Sequence, residues 1–131
     1  MFLGPLPEYS ALVAGRLFNR GLIAKLPDQL IINEYQPGQG IAPHVDCEPC
    51  FEDGITMVSL GWAYEMEYVH VRTGEVRTVL LEPGSAVVIR GEARYDWTHQ
   101  IRPRKSDRGV LRQRRVSLIY RNVILCGVPR S

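Results

Sequence analysis

At 131 residues, 45% of them apolar and 23% charged, the chain can bury one compact core and is too short for two ordinary domains. No apolar run approaches the roughly 18 residues a membrane span needs, residues 1–7 (MFLGPLP) lack a secretory signal, and an odd count of three cysteines argues against a disulfide framework. A soluble cytoplasmic monomer is expected, one domain over 1–131, with a helix and lead-in at 1–28 and a β core at 29–124.

The helical pattern is confined to the start. Pro7 and Glu8 suit a first turn, Tyr9, Leu12, Val13, Leu17 and Phe18 recur at three- and four-residue steps, and Gly21 is placed to end the helix. After Pro27 the chain reads as strands at 29–35, 41–46, 55–61, 63–71, 75–82, 85–90, 94–101 and 114–124. Turns are marked by PGQG (37–40), EDG (52–54), RTGE (72–75) and EPGS (82–85). Eight short strands at this spacing point to a sandwich or barrel. The continuous apolar run AVVI at 86–89 predicts a strand covered on both faces. Residues 114–121 alternate instead: Arg115, Ser117, Ile119 and Arg121 share one face, Val116, Leu118 and Tyr120 the other. Two arginines six residues apart on a strand stand about 20 Å apart, and their long side chains can reach into one cavity from its two ends.

The net charge of +2 conceals an asymmetry. Residues 90–131 carry eleven Lys or Arg against three Asp or Glu, a net of +8, concentrated in RPRKSDRGVLRQRR at 102–115. That stretch reads as a loop running into a strand, and its charge could attract phosphate.

Chemistry concentrates in PHVDCEPC at 43–50. His44 and Asp46, two residues apart on an extended segment, project to the same side and can share a metal ion. A third ligand must come from His70 or His99, and His99, in YDWTHQI, is the better candidate. Two histidines and one carboxylate leave three positions of an octahedral iron open. Cys47 and Cys50 form a CxxC whose only other cysteine is Cys126, so a zinc site lacks its second ligand pair. The two are read as loop residues, exposed to oxidation by their closeness to His44 and Asp46.

Three segments, NEYQPGQGIAPHVD, GEARYDWTHQIRPRK and RRVSLIYR, resemble the AlkB family of Fe(II)- and 2-oxoglutarate-dependent dioxygenases, with the similarity running from about Leu30 to Val123. The resemblance implies a mainly β double-stranded β-helix (jelly roll) with one N-terminal helix. It implies Fe(II), 2-oxoglutarate as cosubstrate and dioxygen, with His44, Asp46 and His99 as iron ligands. Asn33 and Tyr35 match an N-x-Y pair that helps hold 2-oxoglutarate; Arg115 matches the arginine that binds its distal carboxylate and Arg121 the one nearer the metal. Between the arginines the family often carries Asn and Thr, where this chain has Ser117 and Ile119; Ser117 keeps one hydrogen bond for the cosubstrate and Ile119 none. Only 32 residues precede Asn33, fewer than family members usually carry, so the lid over the substrate is either reduced or the sequence is a fragment.

The implied reaction couples decarboxylation of 2-oxoglutarate to hydroxylation of a substrate C–H bond, and a hydroxylated N-methyl group leaves as formaldehyde. The implied partner is a nucleic acid, single-stranded DNA or RNA, with an alkylated base in DNA ahead of tRNA, although RYDWTH and RPRK are similar to the branch that hydroxylates wobble uridines of tRNA. Trp62, Tyr64, Tyr95 and Trp97 are available to stack on a flipped base, against a default role in core or rim. Two other classes stay open: a non-catalytic nucleic-acid-binding module, and an oxygenase acting on a protein or small molecule.

Overall fold

A computed structural model describes residues 8–23, 25–46, 48 and 50–124. Alternating side chains between glycine-bearing turns build two four-stranded antiparallel sheets. The first holds β1 (Gln29–Tyr35), β10 (Arg115–Arg121), β3 (Ile55–Gly61) and β6 (Ala86–Ile89) in that order. The second holds β2 (Ile41–His44), β7 (Trp97–Ile101), β4 (Tyr64–His70) and β5 (Val76–Leu81). Their facing sides interlock: Tyr35, Met57 and Ile89 from the first sheet pack with Tyr64, Met66, Tyr68, Leu81 and Ile101 from the second. Burying each large apolar side chain contributes about 1.5–3 kcal/mol relative to leaving it exposed. This is the expected double-stranded β-helix.

The outer face of the first sheet carries helix α1 (Glu8–Asn19), through Ala14 and Leu17 against Leu30, Val58, Leu118 and Tyr120. Gly21 ends it as expected, at φ 72°, with Leu22 N–H on Leu17 O and Gly21 N–H on Phe18 O, so that two carbonyls of the last turn are satisfied. The buried stripe differs from the expected one. Val13, Ala14 and Leu17 face the sheet, whereas Leu12 and Phe18 are exposed; the side chain of Tyr9 lies outside those described. A helix of three turns has room for one face only, and the apolar pattern was wider than that face. Among the described residues no helix is long and apolar enough to cross a membrane.

Three other expectations are corrected. Residues 94–101 do not form one strand: a one-turn helix, α2 (Glu92–Tyr95), precedes β7. Tyr95, Trp97 and His99 alternate as a strand would, but Gly91 N–H donates to both carboxylate oxygens of Asp53, at 3.0 and 3.2 Å, and turns the chain. The apolar run of β6 is an edge strand, not one covered on both faces, and Ala86 is exposed. The basic segment contains a further hairpin, β8 (Ser106–Asp107) paired with β9 (Val110–Leu111).

Candidate metal centre and cosubstrate site

The second sheet supplies the metal ligands by register. His44 on β2 lies directly opposite His99 on β7, and Tyr68 on β4 lies opposite His99 on the other side, so the three side chains form a row on the inner face. The imidazole rings of His44 and His99 are 4.3 Å apart. Asp46 follows two residues after the end of β2, with Oδ1 3.1 Å from His44 Nε2 and 3.7 Å from His99 Nε2. The candidate ligand atoms of His44, Asp46 and His99 all lie within 4.8 Å of one another. His70, the alternative third ligand, is placed elsewhere: its Nδ1 accepts the N–H groups of Arg72 and Thr73, each at 3.2 Å, in the turn after β4.

Electrostatics prepare these groups to bind a cation. Burial, helped by the charges of His44 and Arg94, pushes His99 down to about 4 against the pull of Asp46, so its ring is neutral near pH 7. His44 is shifted up, chiefly by its hydrogen bond to Asp46, with burial opposing. Burial raises Asp46, but the His44 hydrogen bond and the charges of His99, Arg121 and His44 outweigh it and hold the carboxyl below its usual range. His44 Nδ1 lies 2.9 Å from Ala42 O, a contact that favours a proton on Nδ1, so a metal would take Nε2 by displacing the proton shared with Asp46.

The first sheet supplies the other wall. Its inner-facing rows, set by register, are Tyr35 with Arg115, then Asn33 with Ser117 and Ser59, then Ile31 with Ile119 and Met57, then Gln29 with Arg121. Close approach of the backbone holds the first row: a Cβ on Gly61, at φ 90°, would stand 2.6 Å from Arg114 O. Arg121 reaches the metal end, with Nη1 3.5 Å from Asp46 Oδ2, Nε donating to Gln29 Oε1 at 2.9 Å and the guanidinium over the Phe51 ring.

Arg115 is fully buried, and no carboxylate pairs with it among the described residues. Its Nη2 donates to Ser59 Oγ at 3.0 Å, while Nε and Nη1 have no acceptor. The guanidinium lies 5.2 Å from the ring centre of Tyr35 and 5.9 Å from that of Tyr64. Burial lowers its pKa and raises that of the Tyr35 phenol, whose polar neighbours Arg115, Ser117 and Asn33 pull the other way. The Ser117 hydroxyl and the Tyr68 phenol are also buried without a partner of hydrogen-bond geometry, and burial pushes Tyr68 up to about 12. Buried donors without acceptors are costly. An arginine and two hydroxyls left so between the sheets fit a small dicarboxylate that would supply the missing oxygens.

A profile of the 2OG-Fe(II) oxygenase superfamily matches residues 4–121. The chain belongs to that superfamily. Over 104 residues this oxygenase chain is 47% identical to the tRNA (carboxymethyluridine(34)-5-O)-methyltransferase alkbh8 of Xenopus tropicalis, a match spanning 79% of the chain and 16% of that protein. It is 34% identical to the Alkylated DNA repair protein ALKBH8 homolog of Arabidopsis thaliana, over 92% of the chain and 43% of the relative. The chain thus spans less than half of either relative. Among solved structures OsALKBH1 shares the oxygenase fold at a TM-score of 0.63 and 20% identity, covering 89% of this chain and 64% of that one. The AlkB resemblance and the superfamily's iron(II) and 2-oxoglutarate agree with the donor set found here.

Of the residues singled out in the sequence, His44, Asp46 and His99 come together, and Asn33, Tyr35, Arg115, Ser117 and Arg121 line the opposite wall. Ser59, Tyr68 and Arg94 have no place in the sequence reading of the site, and Tyr64 enters it only as a stacking aromatic. Alternation with Glu65 and Glu67 could have placed Tyr64 and Tyr68 inside, as could a serine between Met57 and Gly61. Nothing marks Arg94 among eleven basic residues. Tyr64, considered as a stacking aromatic, is buried and donates to Gln113 O at 2.7 Å, whereas Trp62 is exposed and Trp97 packs edge-on against His70. Cys50 is disulfide-bonded, contrary to the loop-thiol reading; Cys47 and Cys126 lie outside the described residues.

The basic segment carries less free charge than its composition implied. Arg102 pairs with Glu67, Arg104 with Glu65 and Asp107, Arg108 with Glu65, Arg112 with Asp107 and Arg114 with Glu34. Three of these acids, Glu34, Glu65 and Glu67, come from β1 and β4, so the segment is an ion-paired flank of the sheets.

Proposed function

We propose that the chain is the catalytic unit of an Fe(II)- and 2-oxoglutarate-dependent dioxygenase that hydroxylates a modified or alkylated nucleobase, with tRNA uridine the favoured target. The observation that carries the reading is the buried guanidinium of Arg115, lacking a carboxylate among the described residues, on the sheet that packs against the one bearing His44 and His99 of the His-Asp-His cluster. In this reading His44, Asp46 and His99 hold the metal. Arg115 grips the distal carboxylate of 2-oxoglutarate through two charge-assisted hydrogen bonds; Tyr35, Asn33 and Ser117 orient it, and Arg121 steadies Asp46 at the metal end. Met57, Met66, Ile101 and Ile119 make the space between the sheets apolar and would exclude water from the reacting atoms. Bound iron supplies the activation of dioxygen, at the expense of 2-oxoglutarate, that no side chain can provide.

The choice of target rests on relatives. The higher identity is to a protein named for a carboxymethyluridine of tRNA, and the lower to one named for alkylated DNA repair. That ordering moves tRNA ahead of the damaged DNA favoured by the sequence reading. The test is incubation with iron(II), 2-oxoglutarate and air of two substrates: an anticodon stem-loop bearing 5-carboxymethyluridine, and N-methylated single-stranded DNA. The expected result is a gain of one oxygen on the RNA with stoichiometric succinate. Loss of a methylene unit from the DNA alone would move the reading to repair, and succinate formation with neither substrate changed would overturn the nucleobase reading.

A further inference from the structure

Asp46 is the one ligand of the three that no strand holds. His44 and His99 are fixed by the β2–β7 pairing, whereas Asp46 lies past the end of β2, where the ladder has stopped. Its side chain is oriented by His44 and Arg121. Its main chain is held by Arg94, whose Nη1 donates to Asp46 O at 2.6 Å. Arg94 is only 2% exposed and rests over the Tyr95 ring at 4.8 Å. Burying a cation is costly, and this buried guanidinium is directed at the main chain of a metal-ligand candidate.

The element that carries Arg94 is itself pinned at both ends. Asp53 receives Gly91 N–H ahead of α2, and Asp96 O receives Val71 N–H at 2.9 Å behind it. Five residues after Arg94, on the same piece of chain, comes His99. One short segment therefore presents the third ligand directly and fixes the backbone of the second.

We propose that Arg94 is a positioning residue that sets metal affinity and ligand geometry at the His44–Asp46–His99 centre, by clamping the Asp46 main chain from the Asp53-anchored turn. Its route to the metal centre is its hydrogen bond to the Asp46 main chain. The inference rests on the metal-centre part of the function proposed above and is independent of the nucleic-acid part.

The test uses Co(II) alone as probe, read by its visible absorption, on the full chain and on R94M, R94K and D53A, with urea unfolding of each metal-free protein in parallel. R94M is expected to weaken Co(II) binding by about 10–100-fold, the usual cost of removing a group that orients a ligand, and to change the absorption intensity. R94K, whose ammonium can donate one hydrogen bond to the same carbonyl, should recover part of the loss. D53A, a change at an exposed side chain, should show a smaller loss of the same sign. R94M that binds Co(II) as the parent does while unfolding at lower urea would make Arg94 a structural residue and overturn the proposal. Should R94M fail to fold, D53A decides: lowered affinity supports the clamp and unchanged affinity overturns it. A parent chain that does not bind Co(II) overturns both the clamp and the metal centre, without bearing on which nucleic acid is recognised.

Discussion

Arg112 and Arg115 stand three residues apart, are both fully buried and both lie near the Tyr64 ring, yet their surroundings are opposite. Arg112 is saturated. It forks onto both oxygens of Asp107 at 2.8 and 2.9 Å and donates to the carbonyls of Arg102 and Arg104 at 2.8 and 2.9 Å. Arg115 has a serine hydroxyl and a methionine sulfur at one nitrogen, and no acceptor at the other two. The first ties the β8–β9 hairpin and the 102–105 stretch together, and the second waits for a ligand. Burial alone therefore does not separate a structural arginine from a binding one; the acceptor count does.

Substituting each tests the contrast, and the two variants should fail in opposite ways. R115M should lose 2-oxoglutarate affinity by about 3 kcal/mol or more, roughly 100-fold, as when one partner of a buried charge pair is truncated. The check is anaerobic titration of the visible band formed by Fe(II) and 2-oxoglutarate, and urea unfolding of the metal-free protein should show no loss of stability, because a buried unpaired charge has been removed. R112M should leave cosubstrate affinity nearly intact and lower unfolding stability by about 3 kcal/mol, since Asp107 and two carbonyls lose their donor.

Acid should reproduce part of that second effect. Burial raises the Asp107 carboxyl, but hydrogen bonds from Arg112 and Arg104 and the Arg112 charge hold it below its usual value. Its stabilisation is therefore present above the unfolded carboxylate pKa of about 3.9 and lost as pH falls through the lower folded value; R112M should flatten the urea midpoint over that window. At the metal centre the pKa shift is opposite, but the pH dependence has the same direction. His44 is shifted up in the metal-free state, so a metal must displace a proton, and Co(II) affinity should rise with pH by at most about tenfold per unit near neutrality. His99, already neutral, adds nothing to that slope.

Smaller effects sharpen the same distinction. S117A removes a buried hydroxyl that has no partner, and should weaken 2-oxoglutarate by about 1 kcal/mol, roughly fivefold, with little change in unfolding. R102A breaks the ion pair of an exposed arginine with Glu67 and should change unfolding stability by less than about 1 kcal/mol, and R114A, which removes the exposed partner of Glu34, should leave the urea midpoint where it is.

The alternation in β10 was legible because strand geometry is local: a period of two assigns Arg115, Ser117, Ile119 and Arg121 to one face whatever the sheet does next. The same rule placed His44 and Asp46 on one side, and the resemblance of three motifs brought His99 to them. The short helix α2 was not legible, because its cause is the Asp53 carboxylate 38 residues earlier in the chain. Nor was the pairing of the basic segment, whose acids Glu65 and Glu67 lie 39 and 35 residues before Arg104 and Arg102. Composition reported a charge excess there; folding brought the counter-charges to it.

By itself, then, the sequence determined which face of β10 points inward and that His44 and Asp46 share a side, since those depend on backbone period, and the motif resemblance added His99. Only the tertiary structure decided which buried charges are satisfied. Acceptors reach an arginine from distant strands, and the difference between Arg112 in its full set of oxygens and Arg115 without one exists only once the sheets have closed.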